Sequence, residues 1–344
     1  MYLRNAWYVA AWDRDLGRDL TAVKILDEEI VLYRRLDGTP VALENSCPHR
    51  RLPLSMGRLK GDHVECGYHG LTFDCTGACV RVPGADRIPS GARVRSYPVE
   101  PRYGLLWIWM GEADKADPAK IFRIEHWGDP AWGGNQGESM MLDCHYLHMT
   151  DNLLDPTHVA WVHPNSFGNA ACEAEPLEMT VSESGVTVWR WMRDVEIAPF
   201  YAPFVGFTGN CDRKQHYEVR YPCLALSKAI FVPAGMGGEG RALPANAFVM
   251  DSYSLLTPVD ESQTKYFWLQ LRNVAPDDAE VSERFAASVR AAFEEDRVVL
   301  KAVHRGMAKN PGRNLLRADA GGLRFRRQLE RLIAQESGTA AAAE

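Results

Sequence analysis

The sequence lacks any run of about 20 consecutive apolar residues, the length that a helix needs to cross a bilayer. Its first ten residues also lack the charged leader, apolar run and cleavage site of a signal peptide. The basic residues form no long stripe and the formal net charge is −6, so nothing indicates a nucleic-acid partner. We therefore expect a cytoplasmic protein that binds neither membranes nor nucleic acids.

Cysteine is scarce, with eight residues in a chain of 344. In a reducing compartment such cysteines are expected to be free thiols or metal ligands rather than a disulfide framework. The spacing of the cysteines relative to histidine therefore becomes the informative feature.

The chain is long enough for two domains, and its composition changes near residue 112. Before this point, short runs rich in β-branched and aromatic residues alternate with turn signals, which predicts antiparallel β structure. Residues 112–118 are charged and poor in apolar side chains, so we place a boundary there, with domains 1–112 and 113–344. The second domain mixes strand patterns with a long helical pattern at 281–307, which predicts an α+β fold overall.

Two mixed pairs of ligands lie in the first domain, Cys47-Pro-His49 and Cys66-Gly-Tyr-His69. Two cysteines and two histidines also suit a tetrahedral zinc ion. A zinc finger, however, usually groups its cysteines in one pair and its histidines in the other. One cysteine and one histidine in each pair is the pattern of a Rieske [2Fe–2S] centre, which the spacing therefore favours. Cys75 and Cys79 lie downstream and would be surplus as ligands.

His158 and His163 form the core of a second candidate metal site, after the break expected at Pro156. On an unbroken helix, residues five apart point about 140° away from each other, so a helix that ends or kinks must aim both at one ion. Two imidazoles and one carboxylate make the facial triad of non-heme Fe(II) oxygenases. The carboxylate must come from elsewhere in the chain.

Asp296 is the best candidate for that carboxylate. It falls on the apolar stripe of the long helical pattern, whereas Glu294 and Glu295 fall off it. A carboxylate on a buried face is costly unless it is paired or binds a metal. The alternative is an ion pair with Arg297 or Arg290. The stripe consists of Phe285, Val289, Phe293, Leu300 and Val303.

Asp155 and Asn152 could support this iron site. Asp155 lies three residues before His158 and could accept a hydrogen bond from an iron-bound imidazole. It could equally be a turn residue before Pro156. Asn152 could serve a similar polar role near the iron.

With both sites placed, the chain resembles the oxygenase components of Rieske non-heme iron monooxygenases. The similar branch contains vanillate O-demethylase, dicamba O-demethylase, toluenesulfonate methyl-monooxygenase and chloroacetanilide N-dealkylase. Gly67 stands where proline is common elsewhere in the family. The motifs that carry the resemblance are residues 4–11, 47–50, 66–70, 104–109, 151–155 with His158 and His163, 293–296, 319–322 and 326–327.

The resemblance implies a helix-grip catalytic domain and a homotrimer (α3) in which the cluster of one subunit feeds the iron of its neighbour. Asp155 matches the acidic residue that bridges a cluster histidine, here His69, to an iron histidine, here His158. Electrons would come from a separate NAD(P)H-dependent reductase with flavin and a ferredoxin-type cluster.

The implied reaction is an O2-dependent oxidative O- or N-dealkylation of a small aromatic compound. Hydroxylation of an aryl methyl group or of the ring would use the same metals. A Rieske electron carrier without a substrate is the alternative from another class, and its iron content of two per chain rather than three would distinguish it.

Overall fold

The structure is a computed structural model that describes residues 1–135, 137–312 and 314–338. The chain divides into two compact units, one of Met1–Arg123 with Thr257–Asp260 and one of Ile124–Leu256 with Glu261–Glu344. Residues 113–123, which we assigned to the second domain, thus lie with the first unit, while the functional boundary after residue 112 stays a prediction. No helix among the described residues is both long and apolar enough to span a bilayer.

The first unit consists of short strands in three sheets, with the orders β1-β11-β10, β2-β3-β4-β9 and β5-β6-β7-β8, all of them antiparallel. The antiparallel β structure predicted for this region is confirmed. The strands are β1 Trp7–Trp12, β2 Thr21–Ile25, β3 Glu28–Arg34, β4 Pro40–Glu44, β5 Arg58–Lys60, β6 His63–Glu65, β7 Thr72–Phe73, β8 Cys79–Arg81, β9 Ser96–Tyr97, β10 Val99–Arg102 and β11 Leu105–Trp109.

Four residues from late in the chain, Thr257–Asp260, complete the first unit. The Thr257 hydroxyl donates to the carbonyl of Val9 at 2.7 Å, and the amide of Leu26 donates to the carbonyl of Pro258 at 2.8 Å. Asp260 also forms an ion pair with Lys24 at 3.2 Å. Backbone groups of the first unit therefore find their partners more than 200 residues downstream.

The second unit is built on an eight-stranded sheet with the order β12-β19-β18-β17-β16-β15-β14, where β13 also pairs with β19. The pairs from β14 to β18, and those of β12 and β13 with β19, are antiparallel. These strands are β12 Gly133–Asn135, β13 Ser139–Leu142, β14 Glu178–Val181, β15 Gly185–Val195, β16 Cys211–Arg220, β17 Leu224–Pro233, β18 Phe248–Pro258 and β19 Thr264–Arg272.

Five helices accompany this sheet among the described residues, and the α+β class with a large sheet and one long helix is confirmed. The break near Pro156 is present, since α1 and α2 are separate helices on either side of it. The helices are α1 Tyr146–Leu153, α2 Val159–Val162, α3 Ala171–Ala174, α4 Ala279–Lys309 and α5 Ala320–Glu336.

The long helix α4 begins after Asp278, whose carboxylate accepts a hydrogen bond from the amide of Val281 at 3.0 Å. The predicted apolar stripe is buried from Phe285 to Leu300. It ends there, because Val303 is 41% exposed, so its place on the buried stripe was wrong. The helix continues to Lys309, about two turns beyond Leu300, its last buried residue.

Helix α5 approaches α1 closely through two consecutive glycines, Gly321 and Gly322. A Cβ atom added at Gly322 would lie 2.6 Å from Oδ1 of Asp151 on α1. The Asp151 carboxylate is held by Arg326 of α5, with Nε and Nη2 at 2.9 and 2.7 Å from its two oxygens. Arg326 also donates to the carbonyl of Leu147 at 3.0 Å, which fixes α1 against α5.

We expect Gly322→Ala to lower the free energy of unfolding by roughly 1–2 kcal/mol, because the added methyl group must displace Asp151 from Arg326. The matched control is Gly306→Ala on α4, where no atom lies within 4 Å of the added Cβ. There the substitution should stabilise the protein by up to about 1 kcal/mol. Thermal or denaturant unfolding measures both. An equal gain for the two variants would show that α5 has room for a side chain.

Candidate functional site

The four predicted cluster ligands lie on two loops with the same backbone hydrogen bonding. The amide of Cys47 donates to the carbonyl of Leu52 at 3.0 Å, and the amide of Cys66 donates to the carbonyl of Leu71 at 2.8 Å. In both loops a thiol is thus followed by a turn that closes five residues later. Both cysteines belong to one core cluster with residues of β3, β4, β6, β7 and β8, so the two loops pack on the same core.

Close backbone contacts set the shape of these loops. Arg51 and Gly70 occupy the same loop position, and both adopt the left-handed conformation with φ of 60° and 71°. A Cβ at Gly70 would lie 3.0 Å from Cγ of Pro83, so the segment around Pro83 packs against the second loop. A Cβ at Gly67 would lie 2.7 Å from the carbonyl oxygen of Met56. This contact gives a steric reason for glycine at position 67.

The side chains divide the site into a buried sulfur half and an exposed imidazole half. The Cys47 and Cys66 thiols are buried, whereas the His49 and His69 rings are exposed with centroids 4.5 Å apart. Burial, and then the neighbouring Cys66 thiol, raise the pKa of Cys47, while desolvation and the neighbouring His49 lower the pKa of His69. Two thiols and two neutral imidazoles facing each other are the donor set of a Rieske cluster, so the residues present fit this group.

The second site forms where α2 starts and ends. His158 immediately precedes α2 and His163 immediately follows it, so the short helix turns both rings towards α4. Nε2 of His163 lies 3.2 Å from Oδ2 of Asp296, and Nε2 of His158 lies 3.7 Å from Oδ1. Adjacent donors on one ion at about 2.1 Å are about 3 Å apart, so these three atoms could share an ion with little movement.

The opposite nitrogen of each imidazole is also held. Nδ1 of His158 lies 2.6 Å from the carbonyl oxygen of Asp155, and Nδ1 of His163 lies 2.7 Å from Oε2 of Glu295. Such contacts fix the ring and its tautomer so that Nε2 is free to bind a metal. Sequence reasoning missed Glu295, because this side chain is off the apolar stripe and reaches the site from its edge.

The carboxylate of Asp296 is buried, where it is costly unless a cation or a hydrogen-bond donor pairs with it. Asp296 is 4% exposed and His163 only 2%. Burial lowers the pKa of His163, but hydrogen bonds and charges from Asp296 and Glu295 outweigh this, so that its pKa lies above the usual value. The site therefore favours positive charge, and two histidines with one carboxylate fit the ligand set of non-heme Fe(II).

The alternative ion pairs for Asp296 are not formed. Arg297 binds Glu294 one turn away, and Arg290 binds Glu138 on the loop before β13. Asp296 instead accepts a hydrogen bond on Oδ1 from Nδ2 of Asn152, at 3.0 Å. Asn152 thus orients the carboxylate, and its own Oδ1 is buried without a partner among the described residues.

We expect Asn152→Leu to weaken iron binding by roughly 10–100-fold, because Asp296 loses the contact that orients it. Competition with an Fe(II) chelator measures the affinity, and the visible spectrum reports the cluster, which should not change. Asn210→Leu is the control, since Asn210 is exposed and its side-chain amide donates to Asp194. Equal affinity in both variants would show that Asn152 does not support the iron ligand.

Asp155 contributes to the site in two ways. Its carbonyl contacts His158, and its carboxylate Oδ1 accepts hydrogen bonds from the hydroxyl of Thr157 and from its amide at 3.1 Å. Asp155 therefore has the contacts of a turn residue, and its backbone carbonyl contacts a candidate iron ligand, while its supporting role at the iron stays a prediction. The bridge from its carboxylate to His69 of a neighbour stays a prediction.

A second group with metal-ligand spacing consists of Glu125, His126 and Asp251. Here the ammonium of Lys228 lies 3.2 Å from Oδ1 of the fully buried Asp251 and 3.8 Å from Glu125. The carboxylates therefore already have a counter-charge. We assign no metal to this group.

The iron-ligand candidates open onto a cavity. Eight further residues give it an apolar and aromatic wall, namely Met149, Leu153, Val159, Phe167, Tyr201, Tyr217, Met250 and Phe293. A largely apolar cavity with a few polar groups is typical of small-molecule binding.

Two family models match the chain in the order expected from the two sites. The Rieske [2Fe–2S] domain matches residues 6–98, and the vanillate O-demethylase oxygenase C-terminal domain matches residues 142–335. The first match contains Cys47, His49, Cys66 and His69. A [2Fe–2S] cluster is therefore confirmed in preference to zinc.

Relatives align over essentially the whole chain. An iron–sulfur subunit of the toluene-4-sulfonate monooxygenase system of Comamonas testosteroni is 38% identical over 98% of this chain and 99% of its own. The vanillate O-demethylase oxygenase subunit of a Pseudomonas species is 34% identical over 100% of this chain and 98% of its own. Full-length similarity to oxygenase components excludes the alternative that the chain is an electron carrier without its own substrate.

Solved structures of a Rieske oxygenase are similar to this chain over its whole length. Dicamba monooxygenase bound to 3,6-dichlorosalicylic acid superposes with a TM-score of 0.89 at 32% identity, over 99% of both chains. The structure of dicamba monooxygenase with non-heme iron and dicamba gives 0.80 at 30% identity, over 98% and 99%. The mononuclear iron is thus confirmed alongside the cluster. The chain belongs to the Rieske non-heme iron oxygenases, as an O2-dependent oxygenase component with an N-terminal Rieske [2Fe–2S] domain and a C-terminal domain of the vanillate O-demethylase type.

Proposed function

We propose that this oxygenase removes an O- or N-linked alkyl group from a small aromatic compound. The single observation that carries the proposal is the cavity beside His158, His163 and Asp296, whose wall is largely apolar and aromatic. For a methyl ether the balance is one ether, one O2, two electrons and two protons, giving one phenol, one formaldehyde and one water. The relatives named vanillate and dicamba O-demethylase support this reaction.

We further propose which residues do the work. Cys47, His49, Cys66 and His69, in domain 1–112, hold the cluster. His158, His163 and Asp296, in domain 113–344, hold the Fe(II), which when bound supplies the activation of O2. Asn152 orients Asp296, and Asp155 links His158 to the electron donor. The apolar wall excludes water and orients the aromatic ring.

The electrons would come from a separate NAD(P)H-dependent reductase, directly or through a ferredoxin. Relatives that are named components or subunits of larger systems support this division of labour. The exposed imidazoles of His49 and His69 support an electron path that enters from outside the unit. None of the eight cysteines forms a disulfide, and two of them are the proposed cluster ligands, which suits a reducing compartment, so we place the reaction in the cytoplasm.

We also propose a homotrimer in which the cluster of one subunit serves the iron of the next. Trp161 lies on α2 between the two iron histidines and is 69% exposed, and Tyr68 beside His69 is 56% exposed. Large exposed aromatic side chains next to both metal sites support an interface there. Light scattering should give a mass of about three times 38.5 kDa, and a monomer would contradict the proposal.

Hydroxylation of an aryl methyl group is the second candidate. It is favoured by the 38% identity to a subunit named for toluene-4-sulfonate, a compound with a ring methyl group and no alkyl ether.

One experiment separates the candidates. The purified protein, with a surrogate reductase and NADH, is offered methoxyarenes, N-alkyl anilides and methylarenes. Aldehyde and the dealkylated product support dealkylation, whereas a benzylic alcohol supports the second candidate. The absence of product-coupled oxygen uptake with all three classes would contradict both.

A further inference from the structure

A row of polar side chains crosses the wall of the cavity beside the iron ligands. Tyr217 of β16, Ser227 of β17 and Ser252 of β18 are successive register partners, and all three line the cavity. Along β18 the lining residues are Met250, Ser252 and Ser254, so every second residue contributes. Successive side chains of a strand point to opposite faces, and these three side chains therefore point into the cavity.

Gln270 of β19 and Asn135 of β12 continue this row as a pair of buried amides. The backbone amide of Gln270 donates to Oδ1 of Asn135 at 2.8 Å. Because a backbone amide can only donate, this contact identifies the acceptor end of the Asn135 side chain. Nδ2 of Asn135 then donates to Oε1 of Gln270 at 2.7 Å. The orientation of both side-chain amides is thus determined by a backbone group.

This amide pair determines the polarity of Ser252. Nε2 is the remaining end of the Gln270 side chain, and it donates to Oγ of Ser252 at 3.0 Å. The serine hydroxyl is an acceptor in this bond, so its proton points elsewhere. Among the described residues no acceptor binds that proton, since the bond from Gln270 is the one hydrogen bond that the Ser252 side chain makes there. Ser252 therefore presents a hydrogen-bond donor to the cavity.

Three other hydroxyls of the wall lack this constraint. Those of Ser227 and Tyr217 have no protein partner in the described part of the chain, so each can rotate to donate or to accept. Oγ of Ser254 lies 2.8 Å from the Tyr266 hydroxyl, and this pair is satisfied within the protein. Ser252 differs from all three because its polarity towards a ligand is set before the ligand arrives.

We propose that Ser252 is a specificity-determining residue that donates a hydrogen bond to an acceptor oxygen or nitrogen of the aromatic substrate, such as a carbonyl, ether or carboxylate group. This inference rests on the proposed function only in taking this cavity as the substrate site. A ligand that places a C–H group beside Ser252 leaves a buried donor unpaired, which costs binding free energy. Neutral and anionic acceptors both satisfy this donor, so Ser252 selects for polarity rather than for charge.

Nearly isosteric probes test the proposal on the iron-loaded protein without turnover. Methoxyacetophenone carries a C=O group where isopropenylanisole carries C=CH2, so the two differ in one acceptor atom. Under anaerobic conditions, titration calorimetry compares them as their ortho, meta and para isomers. We expect at least one ketone to bind roughly 10-fold more tightly than its alkene, the factor that one hydrogen bond contributes. Equal affinities in every pair, or no binding of any ketone, would overturn the proposal.

Variants assign the ketone preference to Ser252. Ser252→Ala should abolish it, and Ser252→Thr should keep it, because threonine retains the hydroxyl. Ser254→Ala is the matched control, since Ser254 lines the same cavity from the same strand but its hydroxyl is paired with Tyr266. A preference that survives in Ser252→Ala, or that Ser254→Ala abolishes equally, would overturn the assignment. The wild-type comparison stands even if a variant does not fold.

Aldehyde release with O2 and a surrogate reductase reports separately on the proposed function. A ketone preference that depends on Ser252, without formaldehyde from any of the methoxy probes, contradicts dealkylation alone. Formaldehyde release that Ser252→Ala leaves unchanged for ketones and alkenes alike contradicts this inference alone.

Discussion

Asp296→Ala should yield protein with two irons per chain instead of three and an intact cluster spectrum. The substitution removes the one carboxylate of the candidate triad, and His158 and His163 alone hold an ion weakly. Product formation should fall by more than the roughly 100-fold that the loss of a supporting contact costs. Metal analysis, the Rieske signal in electron paramagnetic resonance and product formation together measure this effect.

Glu294→Gln is the matched control for this variant. Glu294 lies on the same helix two residues earlier, is exposed and bonds to Arg297 at 2.8 Å. Water screens an exposed pair of this kind, so it contributes little, and iron content and activity should stay at the wild-type level. Three irons and full activity in Asp296→Ala would show that the ligand set is wrong.

The metal-free Asp296→Ala protein should unfold at a lower temperature than the metal-free wild type. The substitution leaves the Asn152 amide and the His163 imidazole without the buried carboxylate that they contact. Thermal unfolding measures this effect, and a higher unfolding temperature would show that Asp296 does not stabilise the metal-free fold.

Cys66→Ser should remove the cluster and leave the mononuclear iron. The serine hydroxyl is a poor ligand for an iron that the two thiolates hold together, so two irons per chain and the visible absorption should be lost. Turnover with the reductase should fall to background. Iron analysis gives the stoichiometry, and resonance spectroscopy gives the identity of the remaining iron.

Cys75→Ser serves as the control for the cluster variant. Cys75 is partly buried and packs on the same core as Cys66, but the ligand set is complete without it. This variant should keep the cluster and its activity. A normal Rieske signal in Cys66→Ser would contradict the assignment of the four ligands.

Co-expression of Asp296→Ala and Cys66→Ser chains tests the proposed path between subunits. Each variant alone has one working metal site. If the cluster of one subunit serves the iron of the next, mixed trimers should recover part of the activity. Mixed trimers that stay inactive would place both centres of a working pair in one chain.

Local spacing made the candidate cluster ligands recognisable, because each cysteine–histidine pair is separated by one or two residues and closes within one turn. Asp296 could also be found, since a carboxylate on the apolar stripe of a long helix demands a partner. Val303 was placed on that stripe wrongly, because sequence periodicity does not show where the covering sheet ends. Glu295 was missed because periodicity reports burial and not which edge residue reaches a neighbour.

The cavity could not be read from the sequence for a different reason. Ser227 and Ser252 are 25 residues apart and meet only through the register of β17 and β18. Of the aromatic residues between positions 167 and 255, Tyr201 lines the cavity, while Trp189 and Phe200 are not among its lining residues. All three are aromatic, so residue type alone could not predict which of them would line the cavity.

The contribution of Thr257–Asp260 to the first unit constrains how the protein is made and recombined. The ribosome must release about three quarters of the chain before Val9 and Leu26 can meet their partners. A fragment that stops at residue 123 would leave the carbonyl of Val9 in β1 and the amide of Leu26 after β2 without these hydrogen-bond partners. A chimera that takes residues 1–123 from one relative should therefore fold only when residues 257–260 come from the same relative.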